Sequence, residues 1–412
     1  MKEYAGKVLM IVENSFPYDI RVKNEATTLT DAGYKVSVIA LRKKGDKKRE
    51  TFKGINVYRI PKITLFKKTN QSSVFIQRII IKFQSIMGYL FEYMYFTSAS
   101  FFLSLYILFK EGFDVVHIHN PPDITFVIGM FYRMLGKKFV FDHHDLSPEL
   151  YLSRYNISGG LVYNVLTIIE RFCLKFSNLV IATNESYKEI EINRGKLNPG
   201  KIFIVRNGPD LNRIRLVPPD ENLKKLKKTI LLYLGVMNPQ DGVDYLLRTI
   251  HYLAYKLDRN DFYCVIIGPG DSLDDLKKLS HELKIEENVW FTGYIPDSDL
   301  IRYLSTADIC IDTAPPGPLN NVSTWIKIME YMAVGKPIVS FDLKENRVSA
   351  QEAALFVPTG KESDFAKALC TLMDNPSLRN KMGELGRNRV KNALKWDIVS
   401  QNLLLAYKSL SI

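Results

Sequence analysis

The sequence predicts an α/β protein made of two doubly wound, mostly parallel sheets, and three observations carry that prediction. Short apolar runs of strand length alternate with helical patterns along nearly the whole chain, as in parallel sheets buried on both faces. The runs fall into two consecutive sets, and a Pro- and Lys-rich connector from Val217 to Lys228 precedes the second. At 412 residues the chain is too long for one ordinary core and suits two domains of about 200 residues each.

In order, the predicted strands of the first set are Val8–Val12, Val36–Leu41, Ile55–Ile60, Val115–Ile118, Phe139–Phe141 and Leu179–Ala182. Ile202–Val205 opens the second half, followed by Ile230–Leu234, Tyr263–Ile267, Val289–Phe291, Ile309–Asp312, Ile338–Phe341 and Ala354–Val357. The domain boundary is expected near Asn207-Gly208-Pro209. Ligands of such sheets bind beyond the carboxyl ends of the strands, so the residues just after each strand are the informative ones. They are polar: Glu13 to Asp19 and then Arg21 and Glu25; His117 to Asn120; Asp142-His143-His144-Asp145; Gly235 to Gly242; Gly268-Pro269-Gly270; and Gly293-Tyr294-Ile295-Pro296.

Composition bounds the class. Hydrophobic residues make up 46% of the chain and mean hydropathy is −0.07, which suits a globular enzyme. The four cysteines, Cys173, Cys264, Cys310 and Cys370, have no C-x-x-C spacing and are expected to be reduced core thiols of a cytosolic protein. Lys7 to Val12 is a strand-length run, too short for a signal peptide. The net charge of +12 is concentrated at the start: residues 1–100 hold 18 Lys/Arg against 8 Asp/Glu, and no acid stands between Thr51 and Phe91. Arg42 to Arg49 and Lys53, Arg59, Lys62, Lys67, Lys68, Arg78 and Lys82 form the expected basic surface. Next to it, residues 74–109 are apolar and aromatic. Glu92, four tyrosines and scattered Ser and Thr argue against a membrane span, leaving buried helices or helices partly exposed at a membrane interface.

The most informative stretch is Gly317 to Phe341. A Pro- and Asn-rich turn is expected to lead to a helix capped at Ser323, carrying Lys327 and Glu330 and stopped at Gly335 before the strand Ile338–Phe341. A helix start turns unpaired N–H groups towards an anion. Glu330 follows Ser323 by seven residues, roughly 10 Å along a helix, where a carboxylate can bind a sugar diol while the helix start holds phosphate. That spacing suits a nucleotide.

This unit resembles the nucleotide-sugar motif of retaining glycosyltransferases of family 4, whose pattern is Glu, seven residues, Glu, a small-residue turn, Gly-Lys-Pro and a strand. Glu330 matches the second Glu, and the first falls on Val322. The Asp142–Asp145 turn, Arg206-Asn207-Gly208-Pro209-Asp210 and Gly268-Pro269-Gly270 occur in the family's order. The resemblance implies the GT-B fold, with two Rossmann-like domains facing across a cleft. Residues 1–206 would bind acceptor, residues 207–392 would bind donor, and 393–412, with Trp396, would form a helix returning to the first domain. It further implies donor contacts from Glu330, Ser323, Thr324, Trp325, Asn321, Gly235, Gly268, Tyr294 and Ile295, and acceptor contacts from Asp19, Arg21, His119 and Asp145.

Catalytic roles fall to His144, Lys327 and Arg206. The family's diphosphate-binding Arg and Lys are replaced here by Val236 and Asp241. A departing nucleoside diphosphate still needs positive charge, so Lys327, Arg206 or Arg21 is expected to supply it, and Asp241 to be dispensable. His144 is either satisfied beneath its turn or placed under the transferred sugar. Of His117 and His119, His119 is expected to face the cleft. No metal and no cofactor beyond the nucleotide sugar is expected, and His143, His144 and Asp145 diverge too far to hold an ion.

The leading expectation is a retaining transferase that moves a sugar, from a UDP-sugar first of all, to a glycan or polyprenyl-linked acceptor in polysaccharide or glycoconjugate synthesis. It would act in the cytoplasm, peripherally at the inner face of the membrane, through residues 42–109. The alternatives are a GT-B sugar-nucleotide epimerase and a silent membrane-docking partner of a glycan assembly complex. Nucleic acid is disfavoured, because the aromatic residues form apolar runs and are not spaced through the basic tract.

Overall fold

The computed structural model describes residues 5–63, 75–155, 157–358 and 360–411, and the chain forms two compact units. The first comprises residues 1–148, 159–205 and 400–412, and the second residues 149–158 and 206–399. The helix Ser147–Tyr155 therefore falls mostly in the second unit, a placement that no sequence pattern marks.

The first unit is an eight-stranded sheet. Its strands are β1 (Lys7–Ser15), β2 (Lys35–Arg42), β3 (Arg49–Phe52), β4 (Ile55–Pro61), β5 (Val115–His119), β6 (Lys138–His143), β7 (Leu179–Ala182) and β8 (Ile202–Ile204), in spatial order β3-β4-β2-β1-β5-β6-β7-β8. All pair in parallel except β3, which runs antiparallel to β4. β3 was not predicted. Its sequence, Arg-Glu-Thr-Phe, lacks an apolar run because it is an edge strand with alternating exposure.

The basic tract is partly interior. Arg59 is 5% exposed, donates to the Phe16 carbonyl at 2.8 Å and pairs with Glu50 and Asp46, so it belongs to the core and not to the expected surface. Lys67 and Lys68 lie outside the described residues, as do the side chains of Arg78 and Lys82. The helix Phe75–Lys110 turns small side chains inward: Thr97, Ser100 and Ser104 are buried with Phe96 and Ile107. Leu90, Phe91, Met94, Phe102 and Phe109 face outward, Phe109 at 87% exposure. Among the described residues, no helix is long and apolar enough to cross a membrane.

The second unit is a six-stranded parallel sheet. β9 (Thr229–Leu234), β10 (Phe262–Ile267), β11 (Val289–Gly293), β12 (Ile309–Asp312), β13 (Ile338–Phe341) and β14 (Ala354–Val357) lie in the order β11-β10-β9-β12-β13-β14. The chain winds outward from β9 to β11, then returns to β12 on the other side of β9. β9 and β12 thus flank the point where strand order reverses, the position at which open α/β sheets bind ligands. In the first unit the corresponding reversal lies between β1 and β5. Cys173, Cys264 and Cys310 are buried free thiols and Cys370 is partly buried.

Candidate active site

In the second unit, polar residues gather at the carboxyl ends of β9 and β12. The turn after β9 is built on close backbone approach. A Cβ on Gly268, whose φ is +134°, would lie 2.0 Å from the Gly235 carbonyl oxygen, and one on Gly270 would lie 2.2 Å from that of Met237. Gly235 N–H donates to the Ile267 carbonyl at 3.0 Å and Met237 N–H to that of Pro269 at 2.8 Å. The glycines that the sequence singled out therefore lock two loops together at the carboxyl ends of β9 and β10.

The motif helix starts later than predicted. It spans Ile326–Ala333 with Trp325 at its cap position. Ser323 is not the cap: its hydroxyl donates back to the Leu319 carbonyl at 2.8 Å, because the preceding turn continues through Asn321, whose N–H bonds to Gly317 at 3.1 Å. Glu330 consequently stands one turn into the helix, not two, and Lys327 is its second residue.

Both side chains are held by partners that the sequence did not reveal. Lys327 Nζ lies 3.1 Å from Asp312 Oδ1 and 3.2 Å from the Tyr233 hydroxyl. It also stands 4.4 Å from the Tyr233 ring centroid and 5.4 Å from that of Trp325. Burial opposes its charge, but Tyr233, Asp312 and Asp241 outweigh it and hold the ammonium well above the usual lysine range. Lys327 thus bridges the ends of β9 and β12 as a permanent cation, and a Cβ on Gly235 would be 3.2 Å from its Nζ. Asp241 is buried, accepts from the Asn238 N–H at 3.0 Å and is one of the charges on Lys327. It is part of the site's wiring.

Glu330 Oε1 receives Arg213 at 2.9 Å, while the other edge of that guanidinium takes Asp297 through bonds of 2.8 and 2.9 Å. Burial raises the Glu330 carboxyl, and Arg213 works against it. Arg213 and Asp297 were missed because they lie 117 and 33 residues from Glu330 in sequence, with no motif joining them. Arg206 stands 3.5 Å from Glu345, which also accepts from Thr324 Oγ1 at 3.3 Å, so these two predicted residues converge on one buried carboxylate. Tyr294 is 81% exposed after β11, and Ile295 packs on the core of this unit. Buried polar atoms without a hydrogen-bond partner mark the loop between β12 and the helix: Thr313 Oγ1, Asn320 Oδ1 and Trp325 Nε1.

In the first unit, Asp19 caps the helix Ile20–Asp31 by accepting from Val22 N–H. That helix carries Arg21 and Glu25 onto the end of β5 and β6. Arg21 Nη2 lies 2.7 Å from Asp142 Oδ1, its Nε donates to His144 Nε2 at 3.0 Å, and its Nη1 donates to the Val205 carbonyl at 2.9 Å. His144 Nε2 is also 3.0 Å from Asp142 Oδ2 and 3.0 Å from His119 Nδ1. Burial would raise the Asp142 carboxyl, but Arg21, His144 and the two other histidines hold it well below the usual range.

His117 and His119 share one face of β5, their rings stacked at 4.3 Å and both buried. The expectation that one alone faces the cleft misjudges the strand period, since residues two apart point the same way. His143 points to the opposite face, where burial lowers its basicity but Glu191 at 3.0 Å and Glu170 prevail, raising it to about 9. Asn120, given no role of its own from the sequence, fixes the His144–Asp145 turn. Its Oδ1 accepts from His144 N–H at 2.6 Å, and its Nδ2 donates to the Asp145 carbonyl at 2.7 Å.

Comparison with known proteins agrees with this architecture. Residues 20–213 match the model of Glycosyltransferase Family 4, and residues 218–389 that of Glycosyl transferases group 1. The chain is 25% identical over 305 residues to the Escherichia coli UDP-Gal:alpha-D-GlcNAc-diphosphoundecaprenol alpha-1,3-galactosyltransferase, covering 70% of this chain and 74% of that one. It is 21% identical to the chitobiosyldiphosphodolichol beta-mannosyltransferase of Candida glabrata, over 85% and 80% of the two chains. The sucrose-phosphate synthase of Thermosynechococcus elongatus superposes with a TM-score of 0.73 over 98% of this chain and 99% of that one, at 16% identity. The Anabaena protein Alr3699/HepE in complex with UDP superposes at 0.70 over 98% and 100%, at 14% identity. The chain belongs to family 4 of the glycosyltransferases and has the GT-B fold.

Proposed function

We propose that the chain transfers a sugar, with retention of anomeric configuration, from a UDP-sugar to a glycan carried on a polyprenyl lipid. The observation that carries the donor reading is the motif helix at the strand-order reversal of the second unit. Within one turn it presents a buried cation, Lys327, beside the glycine-locked turn after β9, and a carboxylate, Glu330. Lys327 would bind the diphosphate with Gly235 and Gly268, and Glu330 would accept the ribose hydroxyls. Asn321, Ser323, Thr324 and Trp325 would border the sugar and phosphates, with Tyr294 and Ile295 beside the base. Arg206, 3.5 Å from Glu345, would add charge as the diphosphate leaves.

In the first unit, His144 would hydrogen-bond the transferred sugar, and Asp19, Arg21, His119 and Asp145 would order the acceptor side. The acceptor hydroxyl would attack C1 on the face from which the diphosphate departs. The C1–O bond to phosphate breaks as the new glycosidic bond forms, and the departing phosphate oxygen takes the hydroxyl proton. No protein nucleophile and no metal is needed for that step.

The lipid-linked acceptor is supported by the substrate named for the Escherichia coli relative, a diphosphoundecaprenol, and by the outward rings of the helix Phe75–Lys110. Rings flanked by basic residues suit an anionic bilayer surface. A thermal-shift screen against UDP-, GDP- and ADP-sugars tests the donor, since a specific ligand raises the melting temperature by linkage. Anomeric analysis of the product tests retention. A nucleotide that stabilises wild type and Glu330→Gln equally would remove Glu330 from the site.

A further inference from the structure

We propose that the first unit holds a structural divalent metal ion, zinc by the chemistry of its donors, between Glu25, His117, His119 and Asp142. One donor atom from each lies within 4.8 Å of all the others, and all four residues are buried. His119 Nδ1 and Asp142 Oδ2 are 3.2 Å apart, and His117 Nε2 and Asp142 Oδ2 3.6 Å. Glu25 Oε2 stands 3.9 Å from His119 Nδ1 and 4.0 Å from His117 Nε2. A tetrahedral zinc site with bonds of about 2.0–2.1 Å has edges of about 3.3–3.4 Å, so the two Asp142–histidine separations already match it and Glu25 would have to close in on the histidines by roughly half an ångström around an ion.

The surroundings orient three of the four ligands as in a metal site; the fourth, His119, has Nδ1 3.0 Å from His144 Nε2 and would exchange that contact for the ion. Metal-bound histidines and carboxylates are held by a second layer of partners on the side away from the ion. Here the Tyr407 hydroxyl meets His117 Nδ1 at 2.8 Å, leaving Nε2 to face the carboxylates. Arg21 approaches the outer oxygens, Asp142 Oδ1 at 2.7 Å and Glu25 Oε1 at 3.1 Å. Glu25 Oε2, Asp142 Oδ2 and His117 Nε2 make no well-aligned hydrogen bond, although buried polar groups are almost always satisfied. Their nearest polar neighbours are one another, His119 Nδ1 and, for Asp142 Oδ2, His144 Nε2 at 3.0 Å. Imidazole and carboxylate together suit zinc among the divalent ions.

The ion would tie the helix Ile20–Asp31 to β5 and β6. Through Tyr407 it would also tie in the C-terminal helix Trp396–Ser409. It takes no part in the transfer step, and the expectation that the reaction itself needs no metal is unaffected. The competing state is a proton shared between Glu25 and Asp142, which would also relieve their repulsion beside Arg21.

The test uses the full chain without a histidine tag, grown with added zinc, dialysed without chelator and measured by plasma mass spectrometry. Wild type and the exposed-site control His281→Ala are expected to carry roughly one zinc per chain, and Glu25→Gln and His117→Gln to carry none. Protein grown with cobalt is expected to show the visible ligand-field absorption of a four-coordinate ion. Wild-type protein with no more metal than a buffer blank, or a Glu25→Gln protein that keeps it, would overturn the proposal in favour of the shared proton. If the glutamine variants do not fold, the cobalt spectrum of the wild type decides, and its absence overturns the site.

Discussion

At the scale of single residues, Arg213 changes how Glu330 works. A buried carboxylate is costly to ionise, and Arg213 compensates by donating to Oε1 at 2.9 Å, which leaves Oε2 for a ligand. Glu330→Gln is expected to weaken nucleoside diphosphate binding by about 1.5–3 kcal/mol, the range for hydrogen bonds to a charged group. Arg213→Ala should weaken it through protonation. Burial raises the Glu330 carboxyl and Arg213 is what lowers it, so without the guanidinium the acid stays protonated to higher pH. Affinity of that variant should therefore recover as pH rises, whereas Glu330→Gln should show no such recovery. Calorimetric titration with UDP across a pH series checks this, and parallel behaviour of the two variants would count against it.

Lys327 is the other such residue. It is fixed between Tyr233 and Asp312, so Lys327→Ala is expected to lower turnover by at least about tenfold, a barrier increase of roughly 1.4 kcal/mol. The variant also leaves buried Asp312 short of a partner, with a measurable loss of melting temperature. Normal turnover in this variant would shift the charge requirement to Arg206. Asp241→Ala, expected from the sequence to change turnover little, should lower stability, because Asp241 closes the turn at Asn238.

Among elements, the joined loops after β9 and β10 are the least tolerant feature of the second unit. Gly268 combines a left-handed backbone with a Cβ position 2.0 Å from the Gly235 carbonyl, and neither atom is the end of a flexible side chain. Gly268→Ala is expected to cost about 1–3 kcal/mol of stability, the usual cost of forcing atoms into a packed site. It should also displace the Gly235 turn from Lys327. Denaturant melts measure the first effect and UDP titration the second. Gly317→Ala, where nothing lies within 4 Å, serves as the control.

At the scale of the whole molecule, the question is where the exposed apolar surface goes. The helix Phe75–Lys110 buries Ser100 and Ser104 and exposes Phe102 and Phe109, the reverse of what a helix in water favours. Together with the +12 net charge, this leads to an expected binding to anionic bilayers that weakens as salt rises. Replacing Phe102 and Phe109 by Ser, or Lys67, Lys68 and Lys82 by Glu, should each lower co-sedimentation with anionic liposomes and leave UDP affinity intact. Equal recovery of wild type and variants in the supernatant would make the acceptor a soluble one.

The sequence by itself determined the two sheets. Ten of the thirteen predicted strands lie inside a sheet with a neighbour on each side, and the edge strands β8, β11 and β14 still pack an apolar face, so burial writes itself as an apolar run. β3 was invisible because its four residues, Arg49–Phe52, alternate between exposed and half-buried and bury none fully, unlike the other edge strands. The motif order was equally legible, since a loop–helix–strand unit such as Gly317–Phe341 is a local feature of the chain. Tertiary structure alone decided which partner each polar residue meets. Arg213 reaches Glu330 across 117 residues, Arg21 reaches Asp142 across 121, and His117 reaches Tyr407 across 290. Hydrogen bonds and ion pairs act over about 3 Å of space and leave no periodic trace in the sequence, so charge states and side-chain positions came only with the fold.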